Sequence, residues 1–277
     1  MHKAVFTPQN TCLNRDWVRP VDWLNFKAFC GMKSFNVLRT LMFSGENTPN
    51  SIEYEPDLRK EKHMTPNKED YLKAIYKLGG MEEVVNNKQI ADALKIAPAS
   101  VTEMLGKLSR EGLLEYEPYK GSRLTQDGFQ VAVLLLRGHR LWEVFLIRHL
   151  GYPWSQAHED AELLEHVAPP RLIERLDKFL NYPAYCPHGN AIPHPDGQID
   201  CTPLQTLNLL SEGETSHIRK VTEEMELLDY LQDLGIEIGA TVTVVSIGAY
   251  EGPLTLELSG KRIQISYKAA CQIYTSK

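Results

Sequence analysis

NNKQIADALKIAPASVTEMLGKLSREGLLEYEPYKGSRLT, residues 86–125, reads as two short helices followed by two short extended segments. The apolar spacing predicts a first helix around 88–94, a four-residue break at 95–98, and a second amphipathic helix running to about Arg110. Glu111-Gly112 stops that helix. Extended segments follow around 113–117 and 123–125, with Tyr119-Lys120-Gly121 as the turn between them. This order is that of a winged helix-turn-helix. In such a unit the second helix enters the DNA major groove N-terminus first, where small residues let the backbone approach base edges and phosphates. Ala97, Pro98, Ala99, Ser100 and Thr102 meet that demand. Lys107, Lys120 and Arg123 are candidate phosphate contacts, and Glu103 can accept a hydrogen bond from a cytosine amine. A helical hairpin that packs without touching DNA is the alternative the motif leaves open.

Upstream, Thr65-Pro66 forms a helix start, with Tyr71, Leu72, Ile75, Tyr76 and Leu78 at helical spacing until Gly79-Gly80 ends the run. Residues 1–63 show no sustained periodicity. Their last part, 44–63, is polar, holds two prolines and reads as a linker or disordered arm, so Met64 is expected to begin the folded protein and is a candidate initiator. Downstream, 128–150 is apolar over most of its circumference and predicts a buried helix, with a partner chain as one cover for it. Amphipathic helices follow at about 155–167 and 170–181, then a loop rich in Pro and Gly that reads as a linker. After one helix at 223–234, alternation in 241–247, 254–258 and 262–266, punctuated by glycines, predicts a small β-barrel.

Composition narrows the class. With 277 residues, 43% hydrophobic and 24% charged, the chain is long enough for two or three domains and has the balance of a globular protein. Its longest uninterrupted apolar run, 131–136, is far short of the ~20 residues of a membrane span, and the N-terminal region lacks the apolar core of a secretory signal. A cytoplasmic location is expected. Five scattered cysteines without a CxxC pair argue against a disulfide framework and a four-thiolate zinc site. Lys and Arg number 30 against 36 Asp and Glu, and the excess of acid lies beyond residue 137. No domain is basic enough to hold DNA by bulk charge, so DNA binding needs assistance.

Six of the nine histidines fall between residues 139 and 194. In HEDAELLEH, residues 158–166, His158, Glu162, Glu165 and His166 share one helix face, and Glu162, Glu165 and His166 can converge on one divalent cation. His139 and Glu143 repeat the i, i+4 spacing on the preceding helix and can face His158 as a second constellation. A solvated polar stripe is the bland reading of either one. No HExxH, nucleophile elbow or phosphate loop is present to favour a metal-dependent hydrolase.

Together these segments resemble the diphtheria toxin repressor-like iron- and manganese-dependent regulators. MTPNKEDYLKAIY is similar to that family's opening helix, ASVTEMLGKLSREGLL to its recognition helix, RLTQDG to its wing end, and HEDAELLEH to its metal helix. TEEMELLDYLQDLGIEIGATVTVV resembles the SH3-like, FeoA-like domain of the longer members, whereas residues 1–63 have no counterpart. The resemblance implies a mainly α chain with a small β domain. Its parts are an extension at 1–63, a winged helix-turn-helix at 64–128, a helical metal-binding and dimerisation domain at 129–183, a linker at 184–202 and the SH3-like domain at 203–277. It further implies a homodimer that binds a palindromic double-stranded operator and represses transcription in response to metal.

The metal ligands it implies are Asp70, Glu162, Glu165 and His166 for a primary site. An ancillary site would draw on His139, Glu143 and His158, with Cys186 and His188 from the loop and Glu223 and Glu226 from the SH3-like domain. Cys186 read alone is equally a small buried hydrophobe. Lys73 stands where some manganese sensors carry a second carboxylate, a departure that counts against a two-metal cluster of that design. Iron-sensing members place Met and Cys where this chain has Asp70 and Glu162, and the oxygen-rich set suits Mn(II) better than Fe(II). Cys186 makes the ancillary site friendlier to Zn(II). A metal-independent winged-helix regulator is the remaining alternative.

Overall fold

The computed structural model describes residues 64–199 and 202–276. The extension expected at 1–63 lies outside the described residues. Helix α1 spans Pro66–Lys77; the Thr65 side chain accepts from the Lys68 N–H, and Pro66 fills the first helical position, which needs no N–H. Helix α2, Asn87–Leu94, opens on a capping box between Asn86 and Gln89 and ends at Lys95 in the left-handed region at φ 55°. Helix α3, Pro98–Arg110, follows at once. Strands β1, Leu114–Glu117, and β2, Gly121–Leu124, pair antiparallel with Leu114 opposite Leu124. Leu72, Ile75, Ile90, Val101, Leu105, Leu108 and Leu113 are fully buried between these elements. The winged helix-turn-helix is therefore built on one apolar core, with both strands slightly displaced from their expected limits.

Helix α4, Gln126–Leu150, has 25 residues and starts two residues earlier than its apolar pattern suggests, because Thr125 caps the Gly128 N–H. Gly128 lies against the wing: a Cβ there would stand 2.1 Å from the Leu113 carbonyl oxygen. Gly128→Ala is expected to destabilise the protein by about 1–3 kcal/mol, read as a lower urea midpoint with an unchanged m-value. A midpoint equal to that of the parent would show that the wing tolerates the displacement.

Helices α5, Trp154–Val167, and α6, Pro170–Phe179, pack back on α4. The Pro- and Gly-rich segment after α6 contains no helix or strand, as expected of a connection, yet it is packed rather than loose. Cys186, His188, Asn190 and Ile192 are buried, and Arg137 and Arg140 of α4 donate to the carbonyls of Pro193 and Ala191.

The C-terminal unit is a six-stranded antiparallel sheet. Its strands are β3 (Leu204–Thr206), β4 (Thr215–Val221), β5 (Thr241–Ile247), β6 (Leu254–Leu258), β7 (Lys261–Ile265) and β8 (Ile273–Ser276), in the order β3-β8-β4-β5-β6-β7. Helix α7, Met225–Asp233, and the short α8, Tyr267–Ala270, complete it. Leu228, Leu231, Val242, Val244, Leu254 and Leu256 fill its core. α7 also packs on α5, and the Gln232 side chain accepts from the Trp154 N–H at 2.9 Å. No helix among the described residues is long and apolar enough to cross a membrane.

Candidate metal centres and DNA-binding face

Two side-chain clusters form where α1, α4, α5, the packed loop and the start of the C-terminal unit meet. In the first, the ligand atoms of Asp70, Glu165 and His166 lie within 4.8 Å of one another, and those of His139, Glu162 and Glu165 do likewise. Asp70 comes from α1, His139 from α4, and the rest from consecutive turns of α5. His166 Nε2 is 3.2 Å from Asp70 and 3.6 Å from Glu165, while its Nδ1 is 2.6 Å from Glu69. Burial opposes charge on His166, but the bonds to Asp70 and Glu69 and the field of Glu165 outweigh it and hold its pKa at about 9. Lys73 enters the same cluster, with Nζ 2.7 Å from Glu162 and bonded also to Glu165.

The second cluster centres on Glu143, fully buried on α4. Three ring nitrogens converge on its Oε1: His139 Nε2 at 2.9 Å, His158 Nδ1 at 2.8 Å and His188 Nδ1 at 3.1 Å. Cys186 and Glu223 join Glu143 and His188 within the same 4.8 Å, and Asn190 donates to Glu223 at 2.8 Å. Burial opposes charge on His139, and Glu143, with Glu165 behind it, outweighs that and lifts its pKa to about 9. Burial, reinforced by Glu143 and Glu223, pushes the Cys186 thiol well up, so a thiolate there needs a cation beside it.

Two atoms bear on whether these residues fit a metal. Glu143 Oε2 and His188 Nε2 are buried without a hydrogen-bond partner among the described residues. Buried polar atoms are nearly always satisfied, and a carboxylate oxygen and an imidazole nitrogen left over beside a thiol are suitable donors for a divalent ion. The residues fit.

The structure thus brings together all but one of the ligands expected from sequence. Glu226 is the exception: it is exposed in the first turn of α7 and outside both clusters. The expected helix at 223–234 starts only at Met225, which leaves Glu223 on extended chain, free to face the loop while Glu226 turns away. Sequence reasoning missed Glu69, which orients His166, and Asn190, which orients Glu223. Glu69 sits beside Asp70 in the first turn of a helix, where acid is ordinary.

Ala97, Pro98, Ala99, Ser100, Thr102, Glu103, Lys107 and Lys120 are exposed, and Arg123 is half-buried on β2. No side chain caps the start of α3, which leaves its first N–H groups available to an anion. Thr102 is held by Asn87, and Glu103 and Glu117 lie near Lys107 and Lys120. Tyr119 at the wing tip is fully exposed.

A winged helix joined by one helix to clustered carboxylates and imidazoles defines a DNA-binding regulator with metal centres. Residues 63–122 match the family model described as iron dependent repressor, N-terminal DNA binding domain, and 125–194 match its metal binding and dimerisation domain. Residues 205–277 match the FeoA domain. The chain is 32% identical over 189 residues to the iron-dependent repressor IdeR of Mycobacterium tuberculosis, covering 64% of this chain and 82% of that one. To the transcriptional regulator MntR of Oceanobacillus iheyensis it is 36% identical over 118 residues, covering 43% and 80%. The structure of the manganese regulator SloR superposes with a TM-score of 0.62 at 41% identity, covering 77% of this chain and 100% of that one. ScaR with bound Zn2+ superposes at 0.63 and 39%, covering 76% and 100%. The chain belongs to the iron-dependent repressor family, whose members are transcriptional regulators rather than enzymes.

Proposed function

We propose that the chain is a metal-activated repressor with Mn(II) as its activating ion. In this reading Asp70, Glu162, Glu165 and His166 hold the ion of a primary centre. Glu143, Cys186, His188 and Glu223 hold a second, with His139 and His158 beside both. One observation carries it: the ligand atoms of Asp70, on the DNA-binding unit, and of Glu165 and His166, on α5, already lie within 4.8 Å. A bound divalent ion supplies positive charge and directional bonds that fasten these groups together. Glu69 fixes the His166 ring through Nδ1 and leaves Nε2 facing Asp70. Three carboxylates and one imidazole favour Mn(II), while the Cys186 thiol suits the second centre to Zn(II).

The exposed apolar residues Leu163, Val167, Leu172 and Phe179 supply a face on α5 and α6 for a second copy. Two α3 helices held in one orientation would then meet half-sites one DNA turn apart, about 34–36 Å, in a palindromic operator. The test is fluorescence anisotropy on DNA selected from a random pool, at fixed salt. Binding is expected with Mn(II) and is expected to vanish in EDTA; equal binding in both would overturn the reading. Glu69→Gln is expected to weaken Mn(II) affinity by about 10–100-fold without unfolding the chain, as measured by chelator competition.

A further inference from the structure

One face of α1 carries Asp70, Lys73 and Lys77, spaced i, i+3 and i+7. Asp70 belongs to the primary centre. The two lysines reach carboxylates on other elements. Lys73 Nζ is 2.7 Å from Glu162 and also bonded to Glu165, and its side chain is only 7% exposed. Lys77 Nζ is 3.0 Å from Glu223, whose other oxygen accepts from Asn190. A single helix of the DNA-binding unit therefore delivers a tethered ammonium to the acid of each metal centre. An ammonium on a carboxylate occupies the same lone pairs that a metal ion requires.

We propose that Lys73 and Lys77 set the threshold at which the protein loads its cations, an inference that rests on the two centres assigned above. In the metal-free chain each lysine holds its carboxylates toward α1. A divalent ion takes those carboxylates only in competition with it. Loading then exchanges one positive charge for another at the same seam, and the free-metal concentration needed depends on how firmly the lysines hold. A lysine that merely neutralises buried acid predicts the opposite result on removal, since a less stable site binds its ion less well.

The test uses the full chain and Mn(II) alone, titrated against a fluorescent chelator, for the parent, Lys73→Met, Lys73→Arg, Lys77→Met and, as control, His166→Ala. Lys73→Met is expected to bind Mn(II) about tenfold tighter or more, because a unit charge within ~4–6 Å shifts a carboxylate's protonation by 1–3 units and a metal ion feels the same field. Its Mn(II)-induced rise in Tm should exceed that of the parent, and Lys73→Arg, which keeps the charge, should bind as the parent does. Lys77→Met should tighten the second centre by a smaller factor, since the Lys77 side chain is 37% exposed and better screened. Affinity unchanged or weakened in both methionine variants overturns the proposal. If Lys73→Met folds only when Mn(II) is added, the ion has replaced a missing charge under either reading, and Lys77→Met decides. The same holds if it folds under neither condition: tighter binding in Lys77→Met supports the proposal, and unchanged or weaker affinity there overturns it. Parent-like Mn(II) affinity in His166→Ala would refute the primary centre itself, and the threshold with it.

Discussion

Replacing His166 with alanine is expected to abolish Mn(II)-dependent operator binding while leaving a folded dimer. His166 is the imidazole of the proposed primary centre, and its two nitrogens contact α1 through Glu69 and Asp70. Without it the α1–α5 seam keeps Lys73 with Glu162 and Glu165, and the apolar core of the winged helix is untouched. Fold should survive. Regulation should not: coupling of ~1–3 kcal/mol per site is typical, and two sites per dimer give about a hundredfold or more in operator affinity. Anisotropy in Mn(II) and in EDTA measures the loss, and light scattering after gel filtration checks the dimer. Metal-dependent binding at the parent's level would remove His166 from the centre.

Glu143→Ala has the largest expected effect on stability. The carboxylate is fully buried and three imidazole nitrogens converge on one of its oxygens. Removing it leaves three buried rings without their shared acceptor and His139 without its counter-charge, and breaking a buried pair from one side costs about 3–5 kcal/mol. Urea unfolding in EDTA reads that cost, and elemental analysis after Mn(II) loading should show the second ion gone. The pH dependence has a definite sign. His139, held at about 9 in the folded chain chiefly by Glu143 acting against burial, contributes stability that is full below its unfolded value near ~6.5 and is lost as pH rises through 9. The difference between parent and variant should therefore be largest below pH ~6 and shrink toward pH 10. A cost under ~1 kcal/mol at pH 6 would mean that Glu143 is not the charge partner of His139.

Much of this was readable from periodicity and spacing. The apolar pattern gives α2, α3 and α4 to within a few residues, because α2 and α3 bury one face in the winged-helix core and α4 stays buried along its length as it passes from that core to the apolar clusters beyond it. Strands β5 and β6 match their alternation end to end, and β7 is offset by one residue. Strands β3, β4 and β8 escaped: β3 and β8 have three and four residues, and the mixed polar and apolar run TSHIRKV of β4 is broken by a register shift between Ile218 and Lys220 that spoils simple alternation. On the metal side, i, i+4 spacing finds residues that share one helix. It cannot find Lys77 with Glu223, which are 146 positions apart in sequence, nor Asn190 with Glu223, because only tertiary packing joins them. Lys73 was visible as a departure from a motif, but its bonds to Glu162 and Glu165 were not.

The packed loop between α6 and β3 changes what counts as an exchangeable part. His188 accepts from the Val221 N–H at 3.0 Å, and a Cβ at Gly189 would stand 1.9 Å from the Arg219 carbonyl oxygen, so the loop runs backbone against backbone along β4. On its other side it is bolted to α4 through Arg137 and Arg140. A chimaera that swaps in a relative's sheet from residue 205 onward would keep Cys186 and His188 while replacing the strand that shapes their backbone and the Glu223 that faces them. Grafts intended to move metal preference between relatives should carry the loop and the sheet as one cassette, with the arginines of α4 retained as its anchor.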